Sequence, residues 1–89
     1  MRTEKELAKL ALDVQDACNL SGVVQSFADA MTDLWAIAVQ RGPGHGTDWV
    51  NTHPVSVLFT DKLVHLSQAY DQGAVHRAYN AAMNLVESK

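Results

Sequence analysis

ACNLSGVV, residues 17–24, decides how the first half of this chain folds. Asn19, Leu20, Ser21 and Gly22 have the composition of a turn. The apolar phase nevertheless runs straight through them. Leu7, Val14, Ser21, Ala28 and Trp35 share one heptad position, Leu10, Ala17, Val24, Met31 and Ala38 share another, and Leu20, Phe27 and Leu34 widen the stripe. A loop normally resets such a phase. The spacing therefore predicts one continuous helix from about Thr3 to Arg41, kinked or closely packed at Ser21 and Gly22. Gly22 inside it costs about 1 kcal/mol against Ala. The alternative is a break near residues 19–22 and two helices, the second capped by Ser21. A single helix would be about 58 Å long at 1.5 Å per residue. The rest of the chain could not cover it, so part of its stripe would meet another chain, which argues for a dimer or a partner groove.

Working outward, Thr3 stands three residues before Glu6, a capping-box arrangement that starts the first helix. Leu7, Leu10, Ala11, Val14, Ala17 and Cys18 follow at helical spacing. Gly42-Pro43-Gly44-His45-Gly46 ends the helical run, since Gly42 suits a left-handed cap and Pro43 cannot continue a helix. Thr47 can cap a short turn over residues 48–51, and Thr52 can cap a helix over 53–70 with Pro54 in its first turn. The face of that helix is Val55, Leu58, Phe59, Lys62, Leu63, Leu66, Ala69 and Tyr70, with Val57 and Val64 on the other side. Beyond Asp71 the phase slips by half a turn, and Val75, Ala78, Tyr79, Ala82, Leu85 and Val86 predict a last helix over 73–86. No strand-like alternation occurs. The fold class is all-α, a helical hairpin or a three-to-four-helix bundle with a long N-terminal helix, dimeric, in one domain over residues 1–89.

Composition excludes several function classes. The net charge of −3 comes without any run of Lys or Arg, so no electrostatic footprint for nucleic-acid phosphates is present. Cys18 is the only cysteine, which excludes a disulfide framework and a cysteine-based zinc site and reads as a small core residue. The charged start MRTEKELAKL is not expected to act as a signal peptide, and no apolar run approaches the length of a membrane span. A soluble cytoplasmic protein is expected, with no cofactor and no direct contact with nucleic acid or membrane.

The densest chemistry lies in Gly42–Phe59, which holds three of the five glycines and both prolines. Thr47, Asp48, Trp49, Asn51, Thr52 and His53 stand almost side by side there. As a binding site, Trp49 would be a stacking wall or interface anchor, with Asp48, Asn51 and His53 supplying hydrogen bonds. As structure, Trp49 would plug the end of the core while the threonines cap and Asp48 supports a first helical turn. His45, His53, His65 and His76 include no pair at i and i+4 and no HExxH, so no metal site is expected. Ser56, His53 and Asp48 are a weak coincidence rather than a catalytic set, and Gly42–Gly46 lacks the features of a phosphate loop. No enzyme is expected. Met31 and Trp35 read as core, and Glu4, Lys5, Lys9, Asp13 and Asp16 as a solvated face.

The run DVQDACNLSGVVQSFADAMTDLW, followed by GTDWVNTHPVSVLFTDKLVHLS, resembles a group of small uncharacterised bacterial and phage mobile-element proteins with a DACNLSGVV…GTxWVNxHP pattern. The likeness covers Asp13 to Ser67. Its matching residues are Asp16, Asn19, Ser21 and Gly22, then Gly46, Thr47, Trp49, Asn51, His53 and Pro54, then Lys62. The resemblance implies that the two odd stretches face each other, with Asn19 and Ser21 against Trp49–His53 in one polar niche. The group has no assigned function; small size, the lack of a catalytic set and the mobile-element association together point to a non-enzymatic binding protein that blocks a host defence protein such as a CRISPR–Cas component. The contact surface would be the Gly42–Pro54 loop or the acidic residues Asp13, Asp16, Asp29 and Asp33. The alternative is a small-molecule binder, for a nucleotide or metabolite, using the niche around Trp49 and His53.

Overall fold

A computed structural model describes residues 1–68 and 71–87. The described residues are all-helical: α1 (Glu4–Asp13), α2 (Leu20–Arg41), α3 (Thr47–Thr52), α4 (Pro54–Leu66) and α5 (Gln72–Glu87). The capping box at Thr3 forms in full. The Thr3 hydroxyl accepts from the Glu6 N–H at 3.2 Å, and the Thr3 N–H donates to Glu6 Oε1 at 3.1 Å.

The continuous helix over 3–41 does not form. After Asp13 the chain tightens into a single 3₁₀ turn, Val14–Asp16, and leaves the helix over Ala17–Asn19. Asn19, not Ser21, caps α2: its side-chain oxygen accepts from the Gly22 N–H at 3.3 Å. Ser21 and Gly22 lie inside the first turn of α2, and Ser21 is exposed. Two interactions oppose continuation. A continuous helix would pair the Gln15 carbonyl with the Asn19 N–H. Instead the buried Lys62 ammonium on α4 donates to the Gln15 carbonyl at 2.7 Å, while Asn19 spends its side chain on its own cap. Cys18 lies exposed in this link rather than in the core.

The break resets which face of α2 turns inward. Val23, Ala30, Leu34, Ile37 and Ala38 are buried, and the Phe27 ring lies 5.6 Å from that of Phe59 on α4. Trp35, expected in the core, is exposed, and Met31 is only half-buried, its sulfur 3.5 Å from the Ser56 hydroxyl. Gly42 (φ +83°) ends α2 and donates to the Ala38 carbonyl at 3.2 Å. Helix α4 ends at Leu66, followed by Ser67 and by Gln68 at φ +73°. Ala69 and Tyr70, assigned to this helix from sequence, lie outside the described residues. The Asp71 carboxylate accepts from the Gly73 and Ala74 N–H groups and starts α5.

α1, α2, α4 and α5 pack up, down, up and down. Helix α4 contacts α1, α2 and α5, and α5 closes against α1. The core is centred on Leu7, Leu34, Val50, Val55, Leu58 and Phe59, all without exposed surface. The molecule measures 36 × 23 × 21 Å, far shorter than one uninterrupted helix would have required. No helix among the described residues is long and apolar enough to cross a membrane.

Candidate functional site

The Gly42–Phe59 stretch folds at one end of the bundle, where α1 begins, α2 ends and α4 begins. Gly42 and Gly44 both take positive φ, which reverses the chain within a few residues. Thr47 is the first residue of α3, after Gly46, and makes no side-chain cap. Thr52 does not cap α4 either; its hydroxyl donates to the Asp48 carbonyl at 2.6 Å. The cap of α4 is His53, whose Nδ1 accepts from the Val55 N–H at 3.2 Å, with Pro54 at the first helical position.

The other ring nitrogen of His53, Nε2, donates to Glu4 Oε1 at 3.1 Å. The Arg41 guanidinium holds the second Glu4 oxygen and lies 5.4 Å from the centre of the Trp49 ring. Trp49 meets the rings of His45 and His53 edge-on at 5.2 and 5.1 Å. Glu4, assigned from sequence to a solvated face, is thus the anchor of this end. Burial holds the His53 imidazole below its ordinary value, against the upward pull of the Glu4 hydrogen bond and charge. Because Nδ1 accepts and Nε2 donates, the neutral ring satisfies both partners. Neither nitrogen is left for a substrate or a metal ion. Ser56 is buried and donates to the Val50 carbonyl at 2.5 Å, so its hydroxyl does not address His53. Among the described residues no three His, Cys, Asp or Glu side chains converge as metal ligands.

Thr47, Asp48 and Asn51 are exposed around this end, and Trp49 is half-buried. The expected niche with Asn19 and Ser21 does not form. Those two residues begin α2, while the Trp49–His53 segment packs at its far end, and the 22 residues of α2 separate them by about 33 Å. Asp16 is exposed beside Asn19 in the link, and Lys62 is buried against that link rather than at the Trp49 end. Asp33 is paired with Arg2 at 3.3 Å, which removes it from any free acidic patch. Elsewhere, Asp61 has one buried oxygen with no partner among the described residues, and burial, reinforced by Asp71, pushes its carboxyl above the usual range.

The fold also presents a second surface that the sequence pattern conceals. Leu20 (48%), Val24 (48%), Trp35 (41%) and Val39 (76%) are exposed, and they project from one side of α2. At about 100° per residue they fall within an arc of roughly 100°, together with Ala28 and Met31. This arc adjoins the buried one, so α2 is apolar over about twice the width a surface helix needs. Its only charged residues are Asp29, Asp33 and Arg41, and the last two are tied to Arg2 and Glu4 of the α1 end. No charged side chain interrupts the stripe. The available signal is an excess of apolar residues in Leu20–Val39, but a single helix over 3–41 assigns Trp35 and Val24 to the inside. Comparison with known proteins finds no matching family model, no matching curated protein and no matching solved structure.

Proposed function

We propose that this protein is a small, non-enzymatic, dimeric interaction module that works by protein–protein contact, with the outer face of α2 as its contact surface. The observation that carries this reading is the uncharged stripe Leu20, Val24, Trp35 and Val39 on a helix otherwise packed into the bundle. Contiguous exposed apolar side chains of this kind mark contact sites on small proteins, and a tryptophan among them is the residue type that most often dominates binding energy. The polar end around Trp49 offers less, because His53, Glu4, Arg41 and Trp49 satisfy one another.

The resemblance to small mobile-element proteins supports a wider role: the module occupies a host defence protein such as a CRISPR–Cas component, inside the bacterial cytoplasm. The test is plasmid transformation in a host with an active CRISPR–Cas system that targets the plasmid. Wild type should restore transformation, and a Trp35→Glu, Val39→Glu variant of equal abundance and helicity should not. Failure of the wild type to restore it would remove this target class. Equal rescue by the variant would remove α2 as the contact surface.

A further inference from the structure

We infer that the occupant of the α2 face is a second copy of this chain, laid antiparallel across a two-fold axis near Asp29 and Ala30. This deepens the proposed reading of α2 as a contact surface and rests on it. The first argument is the spacing of the stripe. Its residues are Leu20, Val24, Ala28, Met31, Trp35 and Val39. Reversing their order returns the same intervals. An antiparallel copy therefore sets Leu20 against Val39, Val24 against Trp35 and Ala28 against Met31. Each large side chain meets a smaller one, as interdigitated helix packing requires. A parallel copy would instead stack Trp35 on Trp35 and leave Ala28 facing Ala28, wide at one level and hollow at another.

Electrostatics agree. Antiparallel helices set opposite dipole ends side by side. Asp29, near the axis, lies on the solvent side of the stripe and brings no charge into the seam, and its carboxylate accepts from Gln25 at 3.4 Å. The side chains flanking the stripe on that side, Ser21, Gln25 and Thr32, are neutral and exposed. The fold leaves most of the stripe open: Leu20, Val24, Ala28, Trp35 and Val39 are exposed, while Met31 is half-buried, its sulfur 3.5 Å from the Ser56 hydroxyl of α4.

The area is sufficient for a stable pair at moderate concentration. At these exposures, the four large side chains offer roughly 400 Å² per copy, and their neighbours along the 33 Å seam raise this to about 600–700 Å². Two copies then bury about 1,200–1,400 Å², the lower edge of the standard interface class. Areas of this size span a wide range of affinities, and a seam with no charged pair across it is expected at the weak, micromolar end.

The experiment is light scattering and sedimentation of the full chain from low to high concentration, followed by cross-linking. Wild type should move from 9.7 kDa toward twice that mass as its concentration passes the micromolar range. Trp35→Glu should hold the chain at the single mass with its helical circular dichroism intact. In a Cys18→Ser background, Ala28→Cys lies beside its own copy near the axis and should give a linked dimer with a short bis-maleimide. Val39→Cys lies about 28 Å from its own copy along the seam and should not. A chain that stays at the single mass at about 200 μM overturns the inference, and so does efficient linking through Val39→Cys. A wild-type chain that stays at the single mass yet restores transformation, with the α2 variant failing to do so, would leave the contact reading standing and remove only the second copy.

Discussion

His53 shows how one side chain can hold three elements. Its Nδ1 starts α4, its Nε2 reaches Glu4 at the start of α1, and its ring edge meets Trp49 of α3. The Nδ1 cap depends on a neutral ring, since a protonated Nδ1 can no longer accept from Val55. As pH falls, the unfolded chain takes up a proton at the ordinary histidine value of 6.5 while the folded chain resists. The contribution of His53 to stability is therefore complete above about pH 6.5 and is lost as pH falls from there through its lowered value. His53→Asn keeps a capping oxygen but cannot titrate, so its melting temperature should fall less than that of wild type between pH 7.5 and 5. His53→Ala loses both the cap and the Glu4 partner and should cost about 2 kcal/mol at pH 7.5, read by urea unfolding. From the sequence the cap of α4 falls one residue early, at Thr52, although Pro54 at the first helical position is a local sign that the residue before it is the cap. Glu4 lies 49 positions away, and no local pattern connects it to His53.

At the scale of elements, the break between α1 and α2 turns on two side chains. Asn19 accepts from the Gly22 N–H, and Lys62 takes the Gln15 carbonyl. Asn19→Ala should cost about 1 kcal/mol, whereas Ser21→Ala, two residues later and exposed, should change stability by only a few tenths. Comparable losses in thermal melts of the two would mean that Ser21 also supports the helix start. Lys62→Met keeps the aliphatic stem and removes the ammonium. It should cost about 1–2 kcal/mol and speed amide exchange selectively across residues 14–19, read by mass spectrometry. The helix ends at Thr3 and Gly42 were legible because capping boxes and left-handed glycines are short-range devices. The break at residues 17–19 was not. Both helices continue the same heptad count by coincidence, and the residue that interrupts them comes from α4.

The described residues form a four-helix arrangement with a short α3 at the end that carries Glu4, Arg41 and His53. All-helical character followed from the periodicity alone. The placement of Trp35 did not, because an exposed apolar stripe and a buried one have the same spacing and only the packing partner separates them. That same end also gathers the start of the chain and the last turns of α5. Met1 to Lys5 and Leu85 line one open cleft of about 500 Å³, with Ile37 and Arg41. Gly44 lies exposed in its turn, and a Cβ added there would meet no heavy atom within 4 Å. The order in which the helices are threaded is thus separable from the way they pack. A circularly permuted chain, joined from residue 87 to residue 1 by a short flexible linker and opened at Gly44, should read α3, α4, α5, α1, α2 and still melt cooperatively with wild-type helicity. In that chain α2 would become a terminal segment, tethered at its Leu20 end alone and deliverable to a neighbouring bundle as an exchanged arm.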